Sequence, residues 1–436
     1  MRRLAPASSA RERSRVNVSP VLALAGLAAI GLLAIRLPRP AWRRVASLDP
    51  VVAAGGPLVV VGLVLGPGIG FVSPALLRAL APVTALALGW IGAALGARFE
   101  WRYMRRIPRD VWLVAALSTA SAFAAVALAA ALLARLVPAL GAAWTPRLPA
   151  VLTLAAVAAV SGPGAVALVA RILGLGELVA RRIARVAVLE TAAGALAITL
   201  PLWLHRPPAA SGAGGAELGW LASLVFAVGS GALVGMAFLS ISRLRPAPAG
   251  LGFALLATLA FGAGLGYAAD LSPFVVCALG AALIVNVSPR RHVARRALAD
   301  GAHPLSAVCL IVTGALLTLP TAWILVAAPL LALVRVAAQW AAVRLGRDAL
   351  RLHDVPPHVG LATVAQGTTA IALGVTFFMT YGGHGTDVAG GAAVLATVVG
   401  GVAAAQLAAP ALVTVALRAG PPRLTPAAET AELSPR

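Results

Sequence analysis

The sequence predicts an all-α, polytopic integral membrane protein of about thirteen transmembrane helices, and three observations carry that prediction. The first is composition. Of 436 residues, 60% are hydrophobic and 11% charged, and the mean hydropathy is +0.93; an ordinary soluble domain carries roughly 25% charged residues. The second is that apolar runs near the ~20 residues a helix needs to cross hydrocarbon recur along the chain, and a helix satisfies its own backbone there. The third is the placing of charge. Every basic residue is Arg, the net charge is +21, and the arginines gather in alternate links between the runs. That arrangement sets orientation by the positive-inside rule and does not mark a nucleic-acid partner.

Taken in order, the first run, 18–35, follows a basic tail (1–17) and leads into "RLPRPAWRR". No small-x-small cleavage site ends it, so it reads as a retained anchor. Runs at 50–66, 75–97, 111–137, 148–172 and 183–204 come next, followed by 218–240 and 250–268. The last five are 271–288, 303–319, 321–343, 357–380 and 388–417, and the tail 418–436 reads as disordered. Residues 18–417 thus form one transmembrane unit with no soluble domain. Trp42, Trp101, Tyr103, Trp112, Trp144, Trp203, Trp220 and Trp323 fall at run ends, where an interfacial aromatic belt belongs.

Arg clusters follow the odd-numbered runs, as in "RFEWRYMRRIPR", "RRHVARR" and "RLGRDALR", whereas the even links are nearly neutral apart from Arg147 and Arg206. The odd links are then cytoplasmic, which puts the N-terminus outside and the C-terminus inside a cell (inner) membrane. The basic tail "MRRLAPASSARERSR" runs against that orientation.

Enzyme and metal chemistry find no foothold. Cys277 and Cys309 fall within apolar runs and offer neither a disulfide framework nor metal spacing. His292, His353 and His384 lie in links, His205, His303 and His358 near run ends, and none has ligand spacing with a carboxylate. "GAGLGYAAD" at 262–270 lies inside a run and reads as packing glycine. No cofactor is implied.

Two ionisable groups do lie deep in runs: Glu190 in the sixth and Arg335 in the eleventh. A charge at the bilayer centre costs roughly 2.5–3.5 kcal/mol on insertion scales, so such a residue faces a partner or a watery cavity. Either the two form a structural ion pair, or Glu190 takes up and releases an ion or proton with Arg335 as counter-charge. Two runs are also interrupted. Ser161-Gly162-Pro163-Gly164 stands in the middle of the fifth, and Gln366-Gly367-Thr368-Thr369 in the middle of the twelfth. Pro removes a helix hydrogen bond and Gly lowers helix propensity, so backbone carbonyls are freed there. Replacing Gly162 and Pro163 by Ala is expected to restore a continuous helix. Unwound backbone at membrane depth is tolerated where it is buried or lines a cavity, and matching breaks in two halves point to a transport site. Halves at about 50–204 and 271–417 are offset by an odd number of runs, which makes them inverted repeats.

With these features in place, the chain resembles the monovalent cation:proton antiporter superfamily, most of all its cation:proton antiporter-2 group, over about residues 50–415. "VGLVLGPGIG" is similar to the family's glycine- and proline-bearing end of an early helix, and "ALALGWIGAALGARFEWRYMRR" to its apolar helix and charged loop. "VCALGAALIVNVSPRRHVARR" is similar to "AG..LANSPYRH", with Asn286 on the family's Asn. "LVRVAAQWAAVRLG" places Arg335 on the basic residue, and "VAVLETAAGAL" places Glu190 on the essential Asp of "LLFQDLAVV". The departures are specific. Leu189 stands where Asn or Gln precedes the acid, Ser161-Gly162-Pro163 where T-S-S or T-D-P is common, and "QGTTAIAL" where the family has "GGEFAFVL".

The resemblance implies two crossed broken helices packed beside a scaffold bundle, and secondary transport of Na+ or K+ against H+. Glu190 would bind cation or proton, never both, and Arg335 would neutralise it. Oxygens of Ser161, Thr191, Thr368 and Thr369, with backbone freed at Gly162, Pro163, Gly164, Gln366 and Gly367, would complete a shell of hard ligands, with Asn286 in support. The expected partners are monovalent cations, protons and the lipid bilayer, with a homodimer admitted. The competing functions are a non-transporting or sensor-like member with a structural Glu–Arg pair, and an organic-anion carrier of related fold.

Overall fold

The computed structural model describes residues 55–69, 74–173, 177–199, 201, 220–244, 247–350, 358–382 and 388–418. The anchor run 18–35, the basic N-terminal tail and almost all of the C-terminal tail lie outside the described residues, as do Trp42, Trp203, His205, Arg206, His353 and His384.

The described residues are helical throughout, with no strand among them. The early helices are α1 (Gly56–Leu63), α2 (Pro74–Ala79), α3 (Ala81–Gly96), α4 (Trp101–Met104), α5 (Arg109–Leu136) and α6 (Pro138–Ala143). The fifth run divides into α7 (Arg147–Ala159) and α8 (Pro163–Ile172), and α9 (Glu177–Ala197) follows. Then come α10 (Trp220–Arg243), α11 (Pro248–Ala268), α12 (Pro273–Val287), α13 (Arg291–Leu316) and α14 (Ile324–Ala349). The last are α15 (Thr368–Phe377) and α16 (Val388–Arg418). Seven spans among the described residues are long and apolar enough to cross a membrane, and Gly56–Gly68, Ala81–Gly96, Pro273–Val287 and Thr368–Gly382 are shorter apolar helices. Twelve of the thirteen expected runs therefore have a helical counterpart, and the protein is a polytopic, multi-pass membrane protein.

Three boundaries differ from the reading of the sequence. "RRHVARR" is not a link: it forms the first turns of α13, which carries on through Pro304. Arg291 and Arg295, one turn apart on one helix face, both reach Glu100, at 3.4 and 3.0 Å. A helical start brings the two guanidinium groups to one acid. Likewise α9 begins at Glu177 and takes in Arg181, Arg182 and Arg185, and α14 runs on to Ala349. Arg182 pairs with Asp110 at the start of α5 at 2.7 Å. Arginine thus marks helix ends as much as links.

Trp144 is a correction to the aromatic belt. It is 0% exposed and donates from Nε1 to Thr397 Oγ1 at 3.1 Å, a buried indole whose one polar atom is satisfied. Trp101, Tyr103, Trp112 and Trp323 are exposed, as the belt requires. Cys277 and Cys309 are buried free thiols on different helices.

Packing sorts the helices into two bundles. In one, α3, α10, α11, α12 and α13 share an apolar core that includes Trp90, Phe238, Leu255 and Ile284, and α1 packs along α13. Helices approach closely there: a Cβ on Gly92 would sit 2.0 Å from the Phe274 carbonyl oxygen, so only Gly lets α3 and α12 touch. In the other bundle, α5 packs on α7, α9 and α14, and α16 on α14 and α15. The element that bridges the bundles is α15, which touches α3, α12 and α13 on one side and α7 and α16 on the other. Both interrupted runs belong to the second bundle.

Candidate functional site

The fifth run breaks as expected. Helix α7 ends at Ala159, residues 160–162 are non-helical with Val160 extended, and Pro163 starts α8, where a fixed φ and a missing N–H suit a first helical residue. The twelfth run is broken less evenly. Among the described residues, a single 3-10 turn, Val359–Leu361, precedes the non-helical stretch that ends at Gly367, and α15 begins at Thr368.

The two breaks lie against each other. Gly162 N–H donates to the Ala365 carbonyl at 2.9 Å. A Cβ on Gly162 would sit 2.4 Å from Gly367 N and 2.9 Å from Gly367 Cα, which is backbone and cannot swing away. The crossing itself thus needs Gly162, so replacing Gly162 and Pro163 would disturb the contact between the two breaks as well as the break in the fifth run. Gly164 differs, being exposed with nothing within 4 Å of its would-be Cβ. Gly162→Ala is expected to cost about 1–3 kcal/mol through overpacking and to abolish transport, while Gly164→Ala leaves both unchanged. Thermal melting in detergent alongside reconstituted flux checks the pair, and equal melting of both variants contradicts the steric account.

Arg335 is what holds the crossing together. It is 1% exposed on α14, and its donors spread across both breaks. Nε donates to the Ala158 carbonyl at 2.6 Å and Nη1 to the Val364 carbonyl at 2.7 Å. Nη2 donates to the Val160 carbonyl and to Ser161 Oγ, both at 3.1 Å, and more distantly to the Thr363 carbonyl at 3.5 Å. Carbonyls left over at a helix C-terminus carry partial negative charge, and a planar guanidinium fork suits several at once. Gln366 adds to this from the other break, donating from Nε2 to the Val157 and Val160 carbonyls at 2.8 and 3.1 Å. Arg335, Gln366 and Thr397 also line a cavity of about 30 Å³ whose walls are otherwise apolar, enough for about one water molecule.

Glu190 lies near this clamp and is 0% exposed. Its Oε1 accepts from Thr363 Oγ1 at 3.2 Å. Its Oε2 has no hydrogen-bond partner among the described residues. The Ser118 and Ser161 hydroxyls face it, and the positive charge of Arg335 acts on it. The two charges make no ion pair, since Arg335 spends its donors on carbonyls and Ser161. Glu190 and Arg335 thus act on each other through space, without a direct contact.

The remaining candidates separate into those that reach this site and those that do not. Thr191 is buried one helix position from Glu190, and its single hydroxyl hydrogen is shared between the Ser161 carbonyl and, at 2.6 Å, the Ala187 carbonyl, tying α9 to the break. Thr368 and Thr369 are partly buried at the start of α15 and take no part in the hydrogen bonds around Glu190. Gly367 caps α15 in an extended conformation. Asn286 is outside the site: it accepts from the Trp101 N–H at 2.7 Å and donates to the Phe99 carbonyl at 2.8 Å, which pins α12 to the link before α4. Reading the sequence missed Thr363 and Ser118. A lone hydroxyl in an apolar run can bond its own helix backbone at little cost, so neither residue carries a signal of its own.

No family model and no curated protein matches this chain. Among solved structures it is similar to the sodium proton antiporter MjNhaP1 from Methanocaldococcus jannaschii, with a TM-score of 0.62 and 14% identity, over 92% of this chain and 99% of that one. At that identity the likeness concerns the fold: this chain has the architecture of a sodium/proton antiporter.

Proposed function

We propose that the protein is a secondary active transporter that exchanges a monovalent cation, Na+ or K+, for H+ through the carboxylate of Glu190. The observation that carries this reading is the state of Glu190: a fully buried carboxylate, faced by hydroxyls and with no hydrogen-bond partner for Oε2 among the described residues, placed where two broken runs cross. A buried polar atom is ordinarily hydrogen-bonded, and one that is not needs another use. One negative charge surrounded by hydroxyl oxygens suits a single-charged, hard cation, and the same carboxylate can take a proton instead. Arg335 fixes the shape of the crossing and supplies a positive background; it leaves Glu190 free to exchange its ligand.

The antiporter fold of MjNhaP1 and the placement of both breaks in one bundle support the same reading. In it, the second bundle moves relative to the first and presents Glu190 to the two faces of the membrane in turn. The halves 50–204 and 271–417 are the inverted repeats that make the two faces equivalent, and the arginine-rich helix ends face the cytoplasm. An organic-anion carrier would need a cation turned to its substrate, whereas the Arg335 guanidinium is turned onto protein acceptors at both breaks.

The test is reconstitution of the full chain into proteoliposomes with a lumenal pH dye, scanning Na+, K+ and Li+ across pH. Proton efflux driven by one or more of these cations is expected. Uptake of a labelled organic anion without any proton response to cations indicates the anion carrier, and no flux of either kind indicates a non-transporting protein.

A further inference from the structure

Two buried polar side chains beside this site remain without a role. Ser118 on α5 and Gln339 on α14 are both 0% exposed. Ser118 Oγ and both side-chain polar atoms of Gln339, Oε1 and Nε2, have no hydrogen-bond partner among the described residues, as is true of Glu190 Oε2.

Helix register brings these groups to one level. Helices α5 and α14 pack along each other and run antiparallel. Val126 lines the same small cavity as Leu331 and Ala332, whereas Val111, Val114 and Val343 share an apolar cluster with Val186 and Leu189 of α9. Ser118 lies about two turns from Val126 in the direction of Val114, and Gln339 about two turns from Leu331 in the direction of Val343. Both therefore occupy the layer between Arg335 and Val343. Glu190 lies one turn beyond Val186, with Ser118 facing it. The Gln339 backbone carbonyl lies against Gly360, three residues before the Thr363 whose hydroxyl reaches Glu190.

We propose that Gln339 and Ser118 complete the ion shell of Glu190, with Gln339 Oε1 and Ser118 Oγ binding the same monovalent cation as Glu190 Oε2. This rests on the exchange reading and deepens it. An apolar residue at either position would pack without leaving a polar atom unsatisfied, so retaining a carboxamide and a hydroxyl there calls for a ligand. The donor set is one carboxylate with neutral hard oxygens, which balances a single positive charge; divalent ions draw on more carboxylates. A protonated Glu190 carries no charge to hold the cation, so proton and cation compete for the acid and are never bound together.

The experiment measures the cation KM of proton exchange, and cation-dependent thermal stabilisation in detergent, for the full-length protein and for Gln339→Leu, Gln339→Asn, Ser118→Ala and Ser118→Thr, with Na+ and K+ as probes. Gln339→Leu and Ser118→Ala are expected to raise the KM about tenfold, the effect of losing one ligand worth a strong hydrogen bond, and to lose most of the stabilisation by cation. Ser118→Thr, which retains the hydroxyl, stays near the wild-type value. Wild-type KM and stabilisation in both Gln339→Leu and Ser118→Ala, in a protein that does exchange cations, overturn this inference and leave the exchange reading standing. A wild-type protein with neither flux nor stabilisation overturns both. If Gln339→Leu does not insert, Ser118→Ala and Gln339→Asn decide by the same KM criterion.

Discussion

Glu190→Gln is expected to reduce cation-driven proton flux to the background of empty liposomes while the protein still inserts and melts at or above the wild-type temperature. The change preserves the size of the side chain and an oxygen for Thr363 Oγ1 to reach, but removes the group proposed to take up and release the proton. Stability is expected to hold because the carboxylate contributes little to folding: one oxygen accepts a single bond at 3.2 Å and the other accepts none. Burying an ionisable group with so few partners is a cost that the fold bears for function. Glu190→Asp is expected to retain part of the activity, with the shorter side chain drawn back from Thr363. Flux in reconstituted vesicles and melting in detergent separate the two effects. Wild-type flux in Glu190→Gln means that coupling lies elsewhere.

Arg335→Ala is expected to do the opposite to stability. The Ala158, Val160 and Val364 carbonyls and Ser161 Oγ lose their donor together, and Glu190 loses the positive charge that balances it. Removing one partner from such a buried set costs on the order of 3–5 kcal/mol, so a lower melting temperature and no exchange are expected, with Arg335→Gln close behind. Arg335→Lys is the informative variant. An ammonium restores the charge but has three donors at one point, not a fork, so it cannot reach carbonyls on both breaks at once. It is expected to insert, to melt below the wild type and to exchange weakly. If Arg335→Ala melts and transports as the wild type does, the clamp across the breaks is not formed by this residue.

The comparison of Glu190 with Gln339 shows how far the sequence can be read. A charge in an apolar run stands out because the membrane makes it expensive, and so do Gly and Pro in the middle of a helix. Those signals located Glu190, Arg335 and both breaks. Gln339 carries none of that cost on the page of the sequence, although its position one turn after Arg335, in "VRVAAQW", puts it on the same helix face. Ser118 and Thr363 are single hydroxyls among many. Trp144 misleads for a related reason: its place at the end of a run is the same for an interfacial and a buried indole, and only Thr397, which comes from α16, distinguishes them.

The sequence by itself determined that this is a polytopic helical membrane protein, roughly where its apolar runs lie, and which acid and which arginine are too costly to be accidental. Those are properties of one segment against the bilayer: hydrophobicity, length and the price of a charge act locally. The tertiary structure decided what the costly groups touch. It gave Arg335 to the carbonyls of two breaks and left Glu190 with an open oxygen. It made Gly162 a steric necessity at the crossing but left Gly164 free, and it brought Ser118 and Gln339 level with the acid. Each of these depends on the register between helices far apart in the chain, which packing sets and no local pattern encodes.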